Sequence, residues 1–291
     1  MADPAIPAST FQERPPPAEL AGIVTCAWIQ HIPRESGSYL HTSTPDGSVE
    51  IAYRPGHGRG PHLIGPRTRP TQEVLAPGTT TVGIRFRPGA SAGVIGMPCS
   101  ELVDQTVDLR AVWGSPADRL ADELASADST NILVSLLMGA VHRESMGTTG
   151  LDAVTELIVE SLRQNPQRLP DIGHLVGLSK RQVRRRCLAA IGFGPKTLQR
   201  IARFQRLLAV AHTEVHVRLA ELAVEHGYAD QAHLTSESQR LTGLPPATFI
   251  AEMRDSCASH DHRASEGMWL AVARAKREGR PLERAREVAS S

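Results

Sequence analysis

The sequence predicts an α+β protein: a small β-sheet domain ending in helices, then an all-α domain of two helix-turn-helix subdomains joined by a long helix. Three observations carry this. The texture changes near Met97, from Gly-, Pro- and Thr-rich segments with short apolar runs to apolar residues at helical spacing. Positive charge is concentrated in residues 163–218, where 12 Lys+Arg against two acids leave a net of +10. A short apolar helix, a glycine turn, an apolar plug and a capped helix occur twice, with the caps Ser179 and Asp230 spaced 51 residues apart.

A length of 291 residues suits two ordinary domains. Apolar residues at 41% and charged residues at 22% are globular values and exclude wholesale disorder. The formal charge is only +1, from 32 Lys+Arg and 31 Asp+Glu, so the basic block is local: residues 1–162 carry 11 against 18, a net of −7. A block of this sign is the footprint of a polyphosphate-binding surface. Cys26, Cys99, Cys187 and Cys257 stand far apart, which excludes a zinc ribbon or disulfide scaffold and points to a reducing compartment. The amino terminus lacks the basic and apolar regions of a signal peptide, and no run of eighteen apolar residues spans a membrane. The expected location is the cytoplasm, associated with the nucleoid.

Four segments are expected. Residues 1–19, with Pro15, Pro16 and Pro17 in a row, form an extended arm. Residues 20–164 form a β-rich domain for sensing or dimerisation. Its strands are Ile23–Gln30, Ser48–Tyr53 and Thr80–Phe86, each short, β-branched or aromatic, and bounded by turn residues. Its helices begin at Ser115 (a capping hydroxyl ahead of Pro116 and Asp118), at Asn131 and at Asp152. Their stripes (Ile132, Leu136, Leu137, Val141; Val154, Leu157, Ile158, Leu162) bury against the sheet of the same subunit in preference to a dimer seam. Asn165-Pro166 is the interdomain joint, residues 165–252 are the helical module, and 253–291 a tail that is helical over Met268–Lys276 or disordered.

In the helical module Ile172, Leu175 and Val176 give a short apolar helix ended by Gly177. Leu178 is the plug and Ser179 the N-cap of a helix over Lys180–Ile191. Lys180, Arg181, Arg184 and Arg185 lie on its exposed face, with 181, 184 and 185 in the i, i+3, i+4 relation. Guanidiniums there suit guanine O6/N7 or phosphate. The second unit runs from Leu219 through Gly227 and Tyr228 to a helix opened by Asp230. Between the units, Pro195–His212 has the apolar repeat of a long connecting helix.

Leu178-Ser179…Arg181…Arg185, Gly192-Phe193-Gly194-Pro195, Arg203-Phe204-Gln205, Leu219–Ala223, Gly227–Leu234 and Thr242–Pro246 together resemble the AraC/XylS family of bacterial transcription regulators. The resemblance implies double-stranded DNA and RNA polymerase as partners, with recognition helices in successive major grooves. It places contacts at Arg181, Arg184 and Arg185 in the first unit, where Lys180 joins them as a DNA-binding candidate by its place on the same exposed face, and at Gln231, Ala232, Thr235 and Ser236 in the second. The sequence departs from the family at Ser236, where arginine is usual, and at Ser238, where a large apolar residue is usual. Glu225, Asp230 and Glu237 near the second reader are expected to repel phosphate. More loosely, Arg85–Ala90, Leu102…Asp104-Gln105 and Trp113-Gly114 resemble actinobacterial sensor domains. That implies a cupin-like amino-terminal β-domain followed by helices and does not say what is bound; a small-molecule effector and a homodimer are separate expectations for this domain.

No cofactor, catalytic residue or metal site is expected. His57 and His62 fit a hairpin loop better than a ligand set, because the His-x-His spacing of a cupin metal site is absent. Arg85 and Arg87 are the effector-binding candidates: inward-facing they would clamp an anion, outward-facing they are surface charge. The alternatives to a regulator are a DNA-tethered cupin-type metalloenzyme and an interaction protein that uses its amino-terminal domain to bind another protein.

Overall fold

The computed structural model describes residues 9–58, 60–147, 153–164, 172–213, 218–257 and 260–261. Nine strands are described. Seven form one sheet: β1 (Thr10–Arg14), β2 (Val24–His31), β4 (Glu50–Tyr53), β5 (His62–Ile64), β7 (Thr80–Phe86), β8 (Thr106–Asp108) and β9 (His260–Asp261), in the order β8-β5-β4-β7-β2-β1-β9. The other two, β3 (Tyr39–Ser43) and β6 (Thr71–Leu75), form a separate two-stranded sheet. Pairing is antiparallel except for β1 with β9, so the distant carboxy-terminal pair joins the sheet edge in parallel.

Central position explains the composition of β2 and β7. Both faces are covered, so β2 is buried through Gln30 and β7 is apolar at Val82, Ile84 and Phe86. The Trp28 indole lies flat on Gly83, where an added Cβ would sit 2.4 Å from Trp28 Cε2; no larger residue fits without moving the ring. Phe11 of β1 stacks on the same indole at 5.9 Å between centroids. The expectation of an extended arm over residues 1–19 is therefore corrected: Thr10–Arg14 pairs with His31–Ala27 of β2, and Ala18–Leu20 is a 3-10 turn with Leu20 in the core.

The inner face of the sheet is covered by α1 (Ser91–Ile95), α2 (Arg110–Trp113), α3 (Ser115–Ala125) and α4 (Thr130–Ser145). Gly114, not Ser115, occupies the N-cap of α3, and its φ of 61° explains the glycine. Ser129 caps α4 through Ile132 N. Residues Leu133, Leu137, Met138 and Val141 bury, whereas Ile132 is left 44% exposed, so the α4 stripe is rotated from the expected one.

The helix α5 (Ala153–Gln164) departs further from expectation. Its Ile158, Val159 and Leu162 are buried in a second core with Val183, Cys187, Leu198 and Ile201, so its stripe faces the carboxy-terminal helices and not the sheet. An apolar stripe shows that a helix must bury a face but not against what. Asn165-Pro166 and the Met268–Lys276 helix lie outside the described residues. Among the described residues no helix is long and apolar enough to cross a membrane.

Candidate nucleic-acid interface

The first unit is α6 (Ile172–Val176) and α7 (Lys180–Ile191). Gly177 turns the chain at φ 64°, and Leu178 N donates to Gly173 O at 2.8 Å. Ser179 then caps α7 in a capping box: Gln182 N donates to Ser179 Oγ, and Ser179 N donates to Gln182 Oε1 at 2.9 Å. Val183, Cys187, Ala190 and Ile191 face the core, which turns the opposite side outward. Burial in that core pushes the Cys187 thiol up to about 11, so it is an inert apolar residue at neutral pH. Lys180, Arg181, Arg184 and Arg185 are all exposed on the first two turns of α7. Each is free to meet an anion at the positive end of a capped helix.

The second unit is α9 (Leu219–Glu225) and α10 (Gln231–Thr242), again a 12-residue reader. Tyr228 is the buried plug, its N–H donating to Ala223 O at 2.9 Å, with the Arg203 guanidinium 4.3 Å from the ring centroid. Burial pushes the Tyr228 phenol up to about 12, so it stays protonated as a packing element. Asp230 caps α10 by accepting from His233 N at 2.7 Å. Gln231, Ala232 and Ser236 are exposed and Thr235 half-buried. The Thr235 and Ser236 hydroxyls donate to Gln231 O and Ala232 O, which commits their protons and leaves acceptor capacity only.

One expectation about this unit is corrected, and one departure from the family is explained. Glu237 does not stand as a bare repelling charge: Arg200 Nε donates to its Oε2 at 2.7 Å, and the Glu237 side chain is only 13% exposed. This ion pair ties α10 to the connector α8 (Pro195–Thr213), a 19-residue rod of roughly 28 Å. Ser238 leaves no packing defect: it is fully buried and donates to Leu244 O at 2.8 Å, while Thr242 Oγ1 donates to Ser238 O. Hydrogen bonds to the closing turn replace the apolar side chain usual there. The capping box was legible as Ser179-x-x-Gln182. The Arg200–Glu237 pair, 37 residues apart, had no sequence signal.

Arg85 and Arg87 separate. Arg87 is exposed. Arg85 turns inward, but its Nε donates to Glu50 Oε1 at 2.6 Å and its Nη1 to Glu13 Oε1 at 3.3 Å, with Asp46 Oδ2 at 3.8 Å. Carboxylates of the protein already occupy the inward guanidinium, which corrects its expected role as an anion clamp. Burial raises the Glu50 carboxyl above its ordinary 4.5, and the Arg85 charge only partly offsets this. A carboxyl raised in the folded state binds more protons there than when unfolded, so its contribution to stability is lost as pH rises above about 4.5 through the raised value. Glu50→Gln is expected to flatten that decline, checked by thermal melts from pH 4.5 to 8; a variant with the wild-type pH slope would contradict it.

His57 and His62 line an open cleft of about 570 Å³ with Tyr53, Arg54, Glu73 and Thr106. His31 and His41 are elsewhere, bonded to Thr80 and to Gln30 and Ser43. Among the described residues no three His, Cys, Asp or Glu side chains form a metal-ligand group.

Two capped 12-residue helices, each led into by a glycine turn and joined by one rod, define a twin helix-turn-helix module. Residues 173–252 match the family described as Helix-turn-helix domain, and residues 12–108 match a Domain of unknown function (DUF6597). The "Invasion protein InvF" of Salmonella typhi and that of Salmonella typhimurium are each 33% identical to this chain over 90 residues, which is 31% of this chain. The chain spans 40% of the length of those relatives. Solved structures of ToxT from Vibrio cholerae O395 overlap it at TM-score 0.40 with 9% identity, covering 74% of this chain and 94% of that one. The ToxT complex with (E)-4-(8-methylnaphthalen-1-yl)but-3-enoic acid gives 0.42 and 10%, covering 83% and 98%. The carboxy-terminal module is a helix-turn-helix domain of the AraC/XylS type.

Proposed function

We propose that this chain is a sequence-specific DNA-binding regulator of transcription that sets its two readers in successive major grooves of one duplex. The observation that carries this is the exposed set Lys180, Arg181, Arg184 and Arg185 on the opening turns of a capped helix whose other face is locked in the core. Arg forks there read guanine or anchor phosphate. Gln231, Ala232, Thr235 and Ser236 supply a weaker, neutral second contact, so the first unit dominates affinity. RNA polymerase, a second copy of the chain and a small-molecule effector on the amino-terminal domain complete the proposal. The cleft between Arg54, His57 and His62 is the place for that effector. The chain acts by binding and carries out no chemistry of its own.

Selection of bound duplexes from a random-sequence pool, followed by a salt titration, tests this. Log K is expected to fall linearly with log salt, at about 0.9 per phosphate neutralised. Sequence-blind or salt-insensitive binding would contradict it. On the selected duplex, Arg184→Ala is expected to cost about 1–3 kcal/mol if it forks onto a base, and Gln231→Ala less. The reverse ranking would overturn the dominance of the first unit.

A further inference from the structure

The two reading helices end in the same way. Gly192 follows α7 at φ 93° and Gly243 follows α10 at φ 80°, and they are 51 residues apart like the two caps. One loop of the amino-terminal domain passes both: Pro66 is packed tightly beside Gly192, and Pro70 lies next to Gly243. A Cβ built on Gly192 would lie 2.8 Å from Pro66 Cγ and 2.8 Å from Val103 Cγ2, and one built on Gly243 would lie 3.9 Å from Pro70 Cγ. The five residues Pro66–Pro70 thus reach from the end of one reader to the end of the other.

This loop is held stiffly. Asp104 N donates to Pro66 O at 3.0 Å, Thr68 N and Oγ1 donate to the Asp104 carboxylate at 2.8 and 2.6 Å, and Arg67 Nη2 donates to Thr106 Oγ1 at 2.6 Å. Asp104 itself is the one non-glycine residue at positive φ (58°) among the described residues, a conformation that persists where the surroundings fix it. Nearby, Gln205 Nε2 of the connector donates to Pro45 O at 2.7 Å, so the same domain also grips α8.

We propose that the Pro66–Pro70 loop is a spacing-determining bracket: it holds the ends of both recognition helices at one separation and so restricts the protein to operators with one distance between half-sites. The connector core and the Arg200–Glu237 pair fix the two units along one side, and the bracket closes the frame on another. One inserted base pair shifts a half-site by about 3.4 Å and about 34°. A closed frame cannot follow that displacement, and a loosened one can. The inference rests on the DNA-reading proposal above.

The test uses the full chain and the duplex it selects, re-synthesised with the spacer between half-sites lengthened or shortened by one base pair. The wild type is expected to bind both altered duplexes at least about tenfold more weakly. Asp104→Gly removes the Thr68 clamp yet tolerates the positive φ, and is expected to shrink that penalty to about threefold or less while binding the original duplex nearly as well. Pro70→Ala trims only the Gly243 end and is expected to shift the profile in the same direction, which guards against a folding defect in the first variant. A penalty unchanged in both variants would overturn the bracket, as would a wild type indifferent to spacer length, though either leaves DNA binding intact. If the wild type selects no duplex at all, the DNA-reading proposal falls and the bracket with it.

Discussion

Replacing Arg181, Arg184 and Arg185 together by alanine is expected to reduce the protein to non-specific affinity. Each guanidinium that forks onto a base discriminates by about 1–3 kcal/mol. Three of them supply about 3–9 kcal/mol, comparable with the 4–10 kcal/mol that typically separates specific from non-specific sites. The fold should survive, because all three side chains are exposed and the core face of α7 is carried by Val183, Cys187, Ala190 and Ile191. Titrating the triple variant against the selected duplex and a scrambled one gives the result. Equal, weakened affinity for both is expected; retention of the wild-type preference would remove α7 as the principal reader.

The largest effect on stability is expected at Arg85. Methionine keeps much of the side-chain volume but leaves Glu50, whose carboxylate the guanidinium holds at 2.6 Å, and fully buried Glu13 without their shared cation. Removing one member of a buried ion pair costs about 3–5 kcal/mol. The lower end applies here because the Arg85 side chain is still 21% exposed. At about 2–4 °C per kcal/mol, the melting transition should fall by roughly 6–12 °C. Adding Glu50→Gln to Arg85→Met should restore part of the loss by removing one uncompensated charge. A single variant that melts within 2 °C of wild type, or a double variant no better than the single, would show that the cluster is not a structural ion network.

How much of this was legible in the sequence depended on the range of the interaction. Ser179 and Asp230 act within their own first turns, and Gly192 and Gly243 within the turns they close, so both reading helices and the connector could be placed from local pattern alone. The strands β3, β5, β6 and β8 run three to five residues, and Gln72, Glu73 and Val74 of β6 are exposed in a row, so no alternation stands out. The strand at Thr10–Arg14 was masked by the prolines that follow it. Arg85 was ambiguous for a different reason: alternation along β7 says that neighbours face opposite ways, not which way holds carboxylates. Its partners come from β1 and β4, 72 and 35 residues away in the chain. The destination of the α5 stripe and the Arg200–Glu237 pair likewise depend on tertiary placement that no local signal encodes.

Two helix-turn-helix units of one chain are expected to engage one duplex together. Hydroxyl-radical footprinting of the wild type on its selected duplex tests it most directly. Two protected backbone segments on one face, centred about one helical turn or 34–36 Å apart, are expected, with the stronger protection under α7. A single protected segment, or uniform cleavage along the duplex, would contradict it.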